Sequence, residues 1–303
     1  MAARSLDAGP RFAPRRAIAR TGFTATRIGA GDLADASLPF EDCVDTLRRA
    51  LDAGLNVVDT APAYEDGLSE RIVGAAVRGR PRDELFVIDK IDHLDQRVAP
   101  QIDGSLGRLG LDAVDLFVFH GVKRMDDWRA LAEPGGGFDE LAACVRAGKA
   151  RFRGISSHHP DVLLAALRSG LCDAVMFPVG PFVDRRYLDD VLPLARASGV
   201  GTISFKTFGA GMLVADTAGY GKPLAAGTPP THGRLSVTEC IRHTLTYDPD
   251  VALLGLSTPA EQDAAFAAAH GFAPLPPAEL RALEMRAASV IAGKGPTWWN
   301  PDA

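Results

Sequence analysis

The sequence predicts a (β/α)8 TIM barrel of the α/β class, with an N-terminal β-hairpin and a C-terminal helix and tail. Three observations predict it. From Arg16 onward, short β-rich runs alternate with longer amphipathic segments, about eight pairs in all. The strand runs are mostly apolar, as parallel strands covered on both faces must be. The first strand-to-helix turn reads Gly29-Ala30-Gly31-Asp32, without the G-x-G-x-x-G fingerprint of an open dinucleotide-binding sheet.

Residues 17–20 and 24–27 flank Thr21-Gly22-Phe23 and read as the hairpin. A short strand at 28–30 leads to a helix after Pro39 with Val44, Leu47 and Leu51 on one face, ended by Gly54. The next pairs are strand 56–58 with a helix near 68–77, and strand 85–88 with helix 97–109, closed by Gly110. Strand 114–119 precedes a longer helical stretch to Ala147, interrupted around 134–137. Strands follow at 151–155, 174–177, 201–205 and 252–254, and helices at 160–169, 187–198, 236–247 and 259–270. The stretch 213–236 is a long loop rich in Gly, Pro and Thr, of the kind that serves an active site. A final helix near 277–291 and a tail containing Trp298-Trp299 lie beyond the repeat.

No internal linker marks a second domain, so residues 16–303 are expected to form a single barrel domain. Residues 1–15 carry Arg4, Arg11 and Arg15, interrupted by Pro10 and Pro14, lack the apolar core of a secretory signal, and read as a short disordered extension. Their arginines also leave an organelle transit peptide open, but nothing places the chain outside the cytoplasm. The net charge of −5 argues against nucleic acid or an anionic membrane as the main partner. No apolar run approaches a bilayer span. Cys43, Cys144, Cys172 and Cys240 are far apart, form no C-x-x-C pair and read as reduced thiols, three of them in helices.

Barrel chemistry collects where strands end. Asp59 follows the second strand and Tyr64 stands five residues on; Lys90 ends the third strand, His120 the fourth, and Ser156, Ser157 and His158 follow the fifth. A tyrosine with an ordinary pKa near ~10 is a poor acid at neutral pH, and a neighbouring ammonium lowers that value. Asp59 would hold Lys90 charged, and His120 would orient a substrate carbonyl. Taken singly, Asp59 reads as a turn cap, Tyr64 as a packed loop aromatic, Lys90 as a solvated strand end and His120 as a core histidine. Their ordered spacing supports the catalytic reading. Asp59, Asp92, His93, His158 and His159 invite a metal reading, but adjacent strand residues face opposite ways and chelate poorly, so no metal is expected.

The segment from Ala53 through Asn56, Asp59, Thr60 and Tyr64 to Ser69-Glu70 and Gly74 resembles the strand-two signature of the aldo-keto reductases. Ser105-Leu106, Arg108-Leu109, Leu111-Asp112, Val114-Asp115-Leu116 and His120 resemble its strand-four signature, and Gly148-Lys149, Arg151 and Gly154-Ile155-Ser156 its entry into strand five. The fragments keep family order over about residues 20–272.

The resemblance implies a nicotinamide-dependent oxidoreductase acting on a small-molecule carbonyl or alcohol, with Asp59, Tyr64, Lys90 and His120 as catalytic tetrad. It implies cofactor contacts at Ser156, Ser157 and Met176 near the nicotinamide. Ser204, Lys206, Thr207, Phe208, Gly209 and Gly211 would lie around the pyrophosphate, and Gly255, Ser257, Thr258 and Glu261 at the adenosine end. Family frequency favours NADP(H), with NAD(H) possible, since the adenosine-end segment carries no basic residue. Ser157 stands where the family has Asn, Ala265 where it has another Asn, and Met176, Val179 and Gly180 where it often has Gln and Tyr-Asn. His158 or Phe208 would then compensate for the lost aromatic stack. Two other readings stay open: a cofactor-binding regulatory or redox-sensing protein, and, more distantly, a metal-dependent barrel hydrolase or isomerase.

Overall fold

The computed structural model describes residues 15–227 and 233–301. The extension expected over 1–15 lies outside them except for Arg15, which opens the first strand. An antiparallel hairpin, β1 (Arg15–Ala17) with β2 (Thr24–Thr26), comes first. Eight strands follow: β3 (Ile28–Ala30), β4 (Val57–Asp59), β5 (Phe86–Ile91), β6 (Val114–Phe119), β7 (Ala150–Ser156), β8 (Ala174–Pro178), β9 (Gly201–Phe205) and β10 (Val251–Leu254). Each pairs in parallel with the next, and β10 closes on β3, giving the closed barrel expected from the sequence. No described helix is long and apolar enough to cross a membrane.

The helices are α1 (Phe40–Asp52), α2 (Leu68–Val77), α3 (Val98–Leu109), α4 (Met125–Ala132), α5 (Gly137–Arg146), α6 (Pro160–Ser169), α7 (Leu192–Ala197), α8 (Val237–Tyr247), α9 (Pro259–His270) and α10 (Pro277–Ile291). Capping boxes, Ser236 with Glu239 and Thr258 with Glu261, start α8 and α9. The interruption expected around 134–137 is a complete break between α4 and α5. The helix expected over 187–198 begins instead as a π-helical turn, Tyr187–Val191. Pro193 has no N–H to give to the turn before it, which accounts for the widened winding there.

The hairpin also differs from expectation. Its first strand ends at Ala17, and Ala19–Thr21 forms a 3-10 turn in which the Thr21 hydroxyl donates to the Ile18 carbonyl at 2.7 Å. The turn buries Ile18, and Ile18, Phe23 and Ala25 pack on the layer of side chains that fills the barrel interior.

Strand alternation decides what reaches the barrel mouth. Val57, Phe86, Ile88, Leu116, Val118 and Met176 fill the interior, while Val58, Val87, Phe117, Val175 and Phe177 face the helices. Two residues beyond Val57 stands Asp59, two beyond Ile88 stands Lys90, and two beyond Val118 stands His120. All three therefore share the inward parity of the interior layer.

Gly74 lets α2 lie directly against the end of α3: a Cβ there would lie 2.0 Å from the Leu109 carbonyl oxygen. Alanine ordinarily favours a helix by about 1 kcal/mol over glycine. Here the added carbon meets backbone that cannot swing aside, so Gly74→Ala is expected to destabilise by about 2 kcal/mol net. The midpoint of urea unfolding measures it; a midpoint at or above wild type contradicts the packing described.

Candidate active site

Asp59 closes β4, and Lys90 is the penultimate residue of β5, which runs to Ile91, three residues past the end of the strand expected over 85–88. The Lys90 ammonium donates to Asp59 Oδ1 and to the Thr60 carbonyl, both at 2.7 Å. It lies 4.5 Å from the centre of the Tyr64 ring. His120, just past β6, meets that ring edge-on at 5.7 Å between centroids. The four residues picked from the sequence therefore converge on one point at the mouth.

The loop bearing Tyr64 is braced from behind. Glu65, Asp66 and Gly67 take positive φ in succession, a tight reversal that places Tyr64 over Lys90. Thr60 donates its hydroxyl to Ser69 Oγ at 2.9 Å, and the fully buried Glu70 carboxylate is gripped by both arms of Arg108. The family-like Ser69-Glu70 and Arg108 thus act as scaffold for the loop.

Burial sets the charges. It pushes the Tyr64 phenol above its ordinary value, and Lys90 pulls down without overcoming it. The lowered phenol expected from the sequence is therefore reversed, because desolvation of phenolate outweighs the ammonium's attraction. Burial also opposes the charge on Lys90, but Asp59 and Tyr64 hold the ammonium above its ordinary value. The Asp59 carboxyl is pushed up by burial, with Lys90 pulling it back.

The residues assigned to a cofactor divide into two groups. Ser156 has inward parity; its Oγ accepts from the Gly121 N–H at 2.8 Å and keeps its hydroxyl hydrogen for another acceptor. His158, two residues on, packs edge-on to Phe205 and buries an Nε2 that meets no partner among the described residues. Burial, then the charge of Lys206, lowers its pKa to about 3, so the ring is neutral. At Lys206, Gly209, Ala210 and Gly211 the chain takes positive φ, and the N–H groups of Thr207, Phe208 and Ala210 find no backbone acceptor among the described residues. Such a run of amides suits a phosphate.

The other assigned residues are turned elsewhere. The Ser157 hydroxyl donates to the Val122 carbonyl at 2.6 Å on the helix side, and Ser204 donates to the Val251 carbonyl at 3.2 Å. Thr207 meets Thr244 of α8, Met176 is buried in the interior layer, and Phe208 packs on the outer apolar clusters. Gly255 and Ser257 are exposed at the mouth of the last strand. Thr258 and Glu261 bond to each other's backbone N–H as the cap of α9. Of the two residues considered for the missing aromatic, only His158 has inward parity. Trp299 is buried with its indole N–H on the Phe182 carbonyl, whereas Trp298 stands exposed beside Tyr220, 5.9 Å from Lys206.

Two carboxylates were not among the assigned site residues. Asp92 bonds to His120 and to the backbone of the Tyr64 loop. Asp32, after β3, accepts from the Ala34 N–H at 3.0 Å, and burial raises it while Ser69 and Lys90 draw it down. The signal for Asp92 was parity, since it stands two residues beyond Lys90. For Asp32 it was position at a strand end.

The model of the aldo/keto reductase family matches residues 27–268. The chain is 27% identical over 217 residues to the NADH-specific methylglyoxal reductase of Escherichia coli (strain K12), covering 65% of each. It is 31% identical over 214 residues to the L-galactose dehydrogenase of Arabidopsis thaliana, covering 65% of this chain and 66% of that one. The chain thus spans just under two thirds of the length of both. Its fold is similar to that of an aldo-keto reductase from Bacillus halodurans in its holo form, with TM-score 0.71, 21% identity and coverage of 92% and 97%. It is also similar to one from Klebsiella pneumoniae in complex with NADP and acetate, with TM-score 0.67, 22% identity and coverage of 92% and 95%. Since the matched stretch runs from ahead of the first barrel strand to beyond the last, the chain belongs to the aldo/keto reductase family.

Proposed function

We propose that the protein is an NAD(P)(H)-dependent oxidoreductase that reduces an aldehyde or ketone, or oxidises an alcohol or sugar hydroxyl, with Tyr64 as general acid/base. The observation that carries this reading is the packing of Tyr64 over the buried Lys90–Asp59 pair with His120 at its edge. When bound, the nicotinamide dinucleotide supplies or accepts hydride. Tyr64 gives a proton to the developing alkoxide, Lys90 stabilises the phenolate left behind, Asp59 keeps Lys90 charged, and His120 orients the carbonyl oxygen. Ser156 and His158 would meet the carboxamide end, and the amides of Thr207, Phe208 and Ala210 with Lys206 would hold the pyrophosphate. Relatives named for methylglyoxal and L-galactose support a small carbonyl or sugar as substrate.

NADP(H) is the favoured cofactor and NAD(H) the second, as one relative is named NADH-specific. Titration with both decides the order; tighter NAD(H) binding reverses it. One observation favours a redox-sensing role instead: Val179 is buried, and Gly180 lies against the Lys206 carbonyl, so neither offers an aromatic face. Mixing the protein with reduced cofactor and a panel of small aldehydes, ketones and sugars separates the readings. The expected result is repeated loss of the reduced-nicotinamide absorbance. Tight cofactor binding with no hydride transfer to any of them supports the sensor.

A further inference from the structure

We propose that Asp32 biases the site toward carbonyl reduction, its uncompensated carboxylate favouring the positive charge that the nicotinamide ring carries once hydride has left. The inference rests on the oxidoreductase reading above and adds which redox state of the cofactor this chain holds more firmly. Asp32 stands just past β3, the strand that joins β4 to β10 in the barrel. Its side chain is half-buried, and Oδ1 accepts from the Ala34 N–H at 3.0 Å. Among the described residues Asp32 forms no ion pair, whereas its neighbours are matched. Lys90 is taken by Asp59 and the Thr60 carbonyl, and Asp92 is turned to His120 and the Ala63 N–H. Asp32 is the carboxylate left over.

Its charge reaches the reacting groups. After burial itself, Asp32 is among the influences that raise the Tyr64 phenol and the Asp59 carboxyl. Hydride transfer requires the nicotinamide ring to lie against the carbonyl whose oxygen meets Tyr64, with reacting atoms about 3–3.5 Å apart. A charge felt at Tyr64 is therefore felt by that ring. In reduction the hydride pair goes to the carbonyl carbon and the Tyr64 proton to its oxygen, and one positive charge stays on the ring. A half-buried carboxylate nearby stabilises that charge and has no such hold on the neutral reduced ring. By linkage, the factor by which Asp32 favours the oxidised form moves the bound couple toward hydride donation equally. Phosphates and adenosine are common to both forms, so their repulsion from Asp32 cancels in the ratio of affinities.

The test titrates the full-length protein with NADP+ and NADPH, or with NAD+ and NADH if that pair binds more tightly. ADP-ribose, or its 2′-phosphate for the NADP pair, serves as the ligand without a nicotinamide. At about pH 8 a carboxylate is ionised even when burial raises it modestly. Asp32→Asn and Asp32→Ser both remove the charge, and both keep an oxygen for the Ala34 N–H. In each variant the oxidised form is expected to lose about fivefold in affinity relative to the reduced form, the scale of one unit charge acting across a partly buried mouth. Binding of the ring-less ligand is expected to stay within about twofold of wild type, which a general loosening of the mouth would not allow. An unchanged ratio of oxidised to reduced affinity in a folded variant overturns the proposal. If wild type binds none of the four dinucleotides, the oxidoreductase reading itself fails and the inference with it. A wild type that binds both forms, with a ratio indifferent to residue 32, loses this inference alone.

Discussion

Tyr64→Phe is expected to cut carbonyl reduction by about 10³-fold while leaving cofactor affinity unchanged, because it removes one oxygen and nothing else. General acid catalysis by a placed side chain is worth about 10²–10⁴-fold. The ring would keep its edge contact with His120 and its place over Lys90. Loss of activity would thus report the proton and not the packing. The pH dependence follows from the sign of the shift. Burial keeps the wild-type phenol protonated beyond its ordinary ~10, so reduction should not lose rate to Tyr64 at any pH below that. Alcohol oxidation needs phenolate and should climb with pH over the same range. Steady-state assays in both directions from pH 6 to about 10 measure this. Undiminished reduction by Tyr64→Phe would remove Tyr64 from the mechanism.

What the sequence revealed and what it hid follow from how each signal arises. Period-two burial is local, so the strand ends and the convergence of Asp59, Lys90 and His120 could be read before any coordinates. The inward parity of Ser156 could be read the same way. Parity applied strictly would also have turned Ser157 and Ser204 toward the helices, where each hydroxyl meets a carbonyl. Thr258 and Glu261 spell a capping box in the sequence itself, and a cap explains both without a ligand. Asp92 was harder, because its meaning lies in a bond to His120, 28 positions away. The direction of the Tyr64 shift was hidden for a different reason. Desolvation depends on how many atoms surround the phenol, and spacing along a chain does not carry that number.

Lys90→Met should both abolish turnover and unfold the protein more readily, and the two losses can be separated. Lys90 and Asp59 side chains are 2% and 6% exposed, so removing the ammonium leaves a carboxylate stranded in the barrel. Breaking a buried pair this way costs about 3–5 kcal/mol. Asp59 is already pushed up by burial, and without Lys90 nothing comparable holds it down. A carboxyl whose folded value exceeds its unfolded ~3.9 binds a proton in the native state that the unfolded state has released. Stability conferred this way is present at low pH and lost as pH rises through the folded value. The variant should therefore regain stability on acidification, when Asp59 becomes neutral. Adding Asp59→Asn should restore most of the loss at neutral pH, short of about 1–3 kcal/mol for the Thr60 carbonyl that Lys90 also serves. Turnover should stay absent in the double variant, since no cation remains beside Tyr64. Urea unfolding at pH 5 and pH 8 with parallel assays distinguishes these effects. A single variant equally stable at both pH values would mean that Asp59 bears no buried charge, and the electrostatic support assigned to Tyr64 would fall with it.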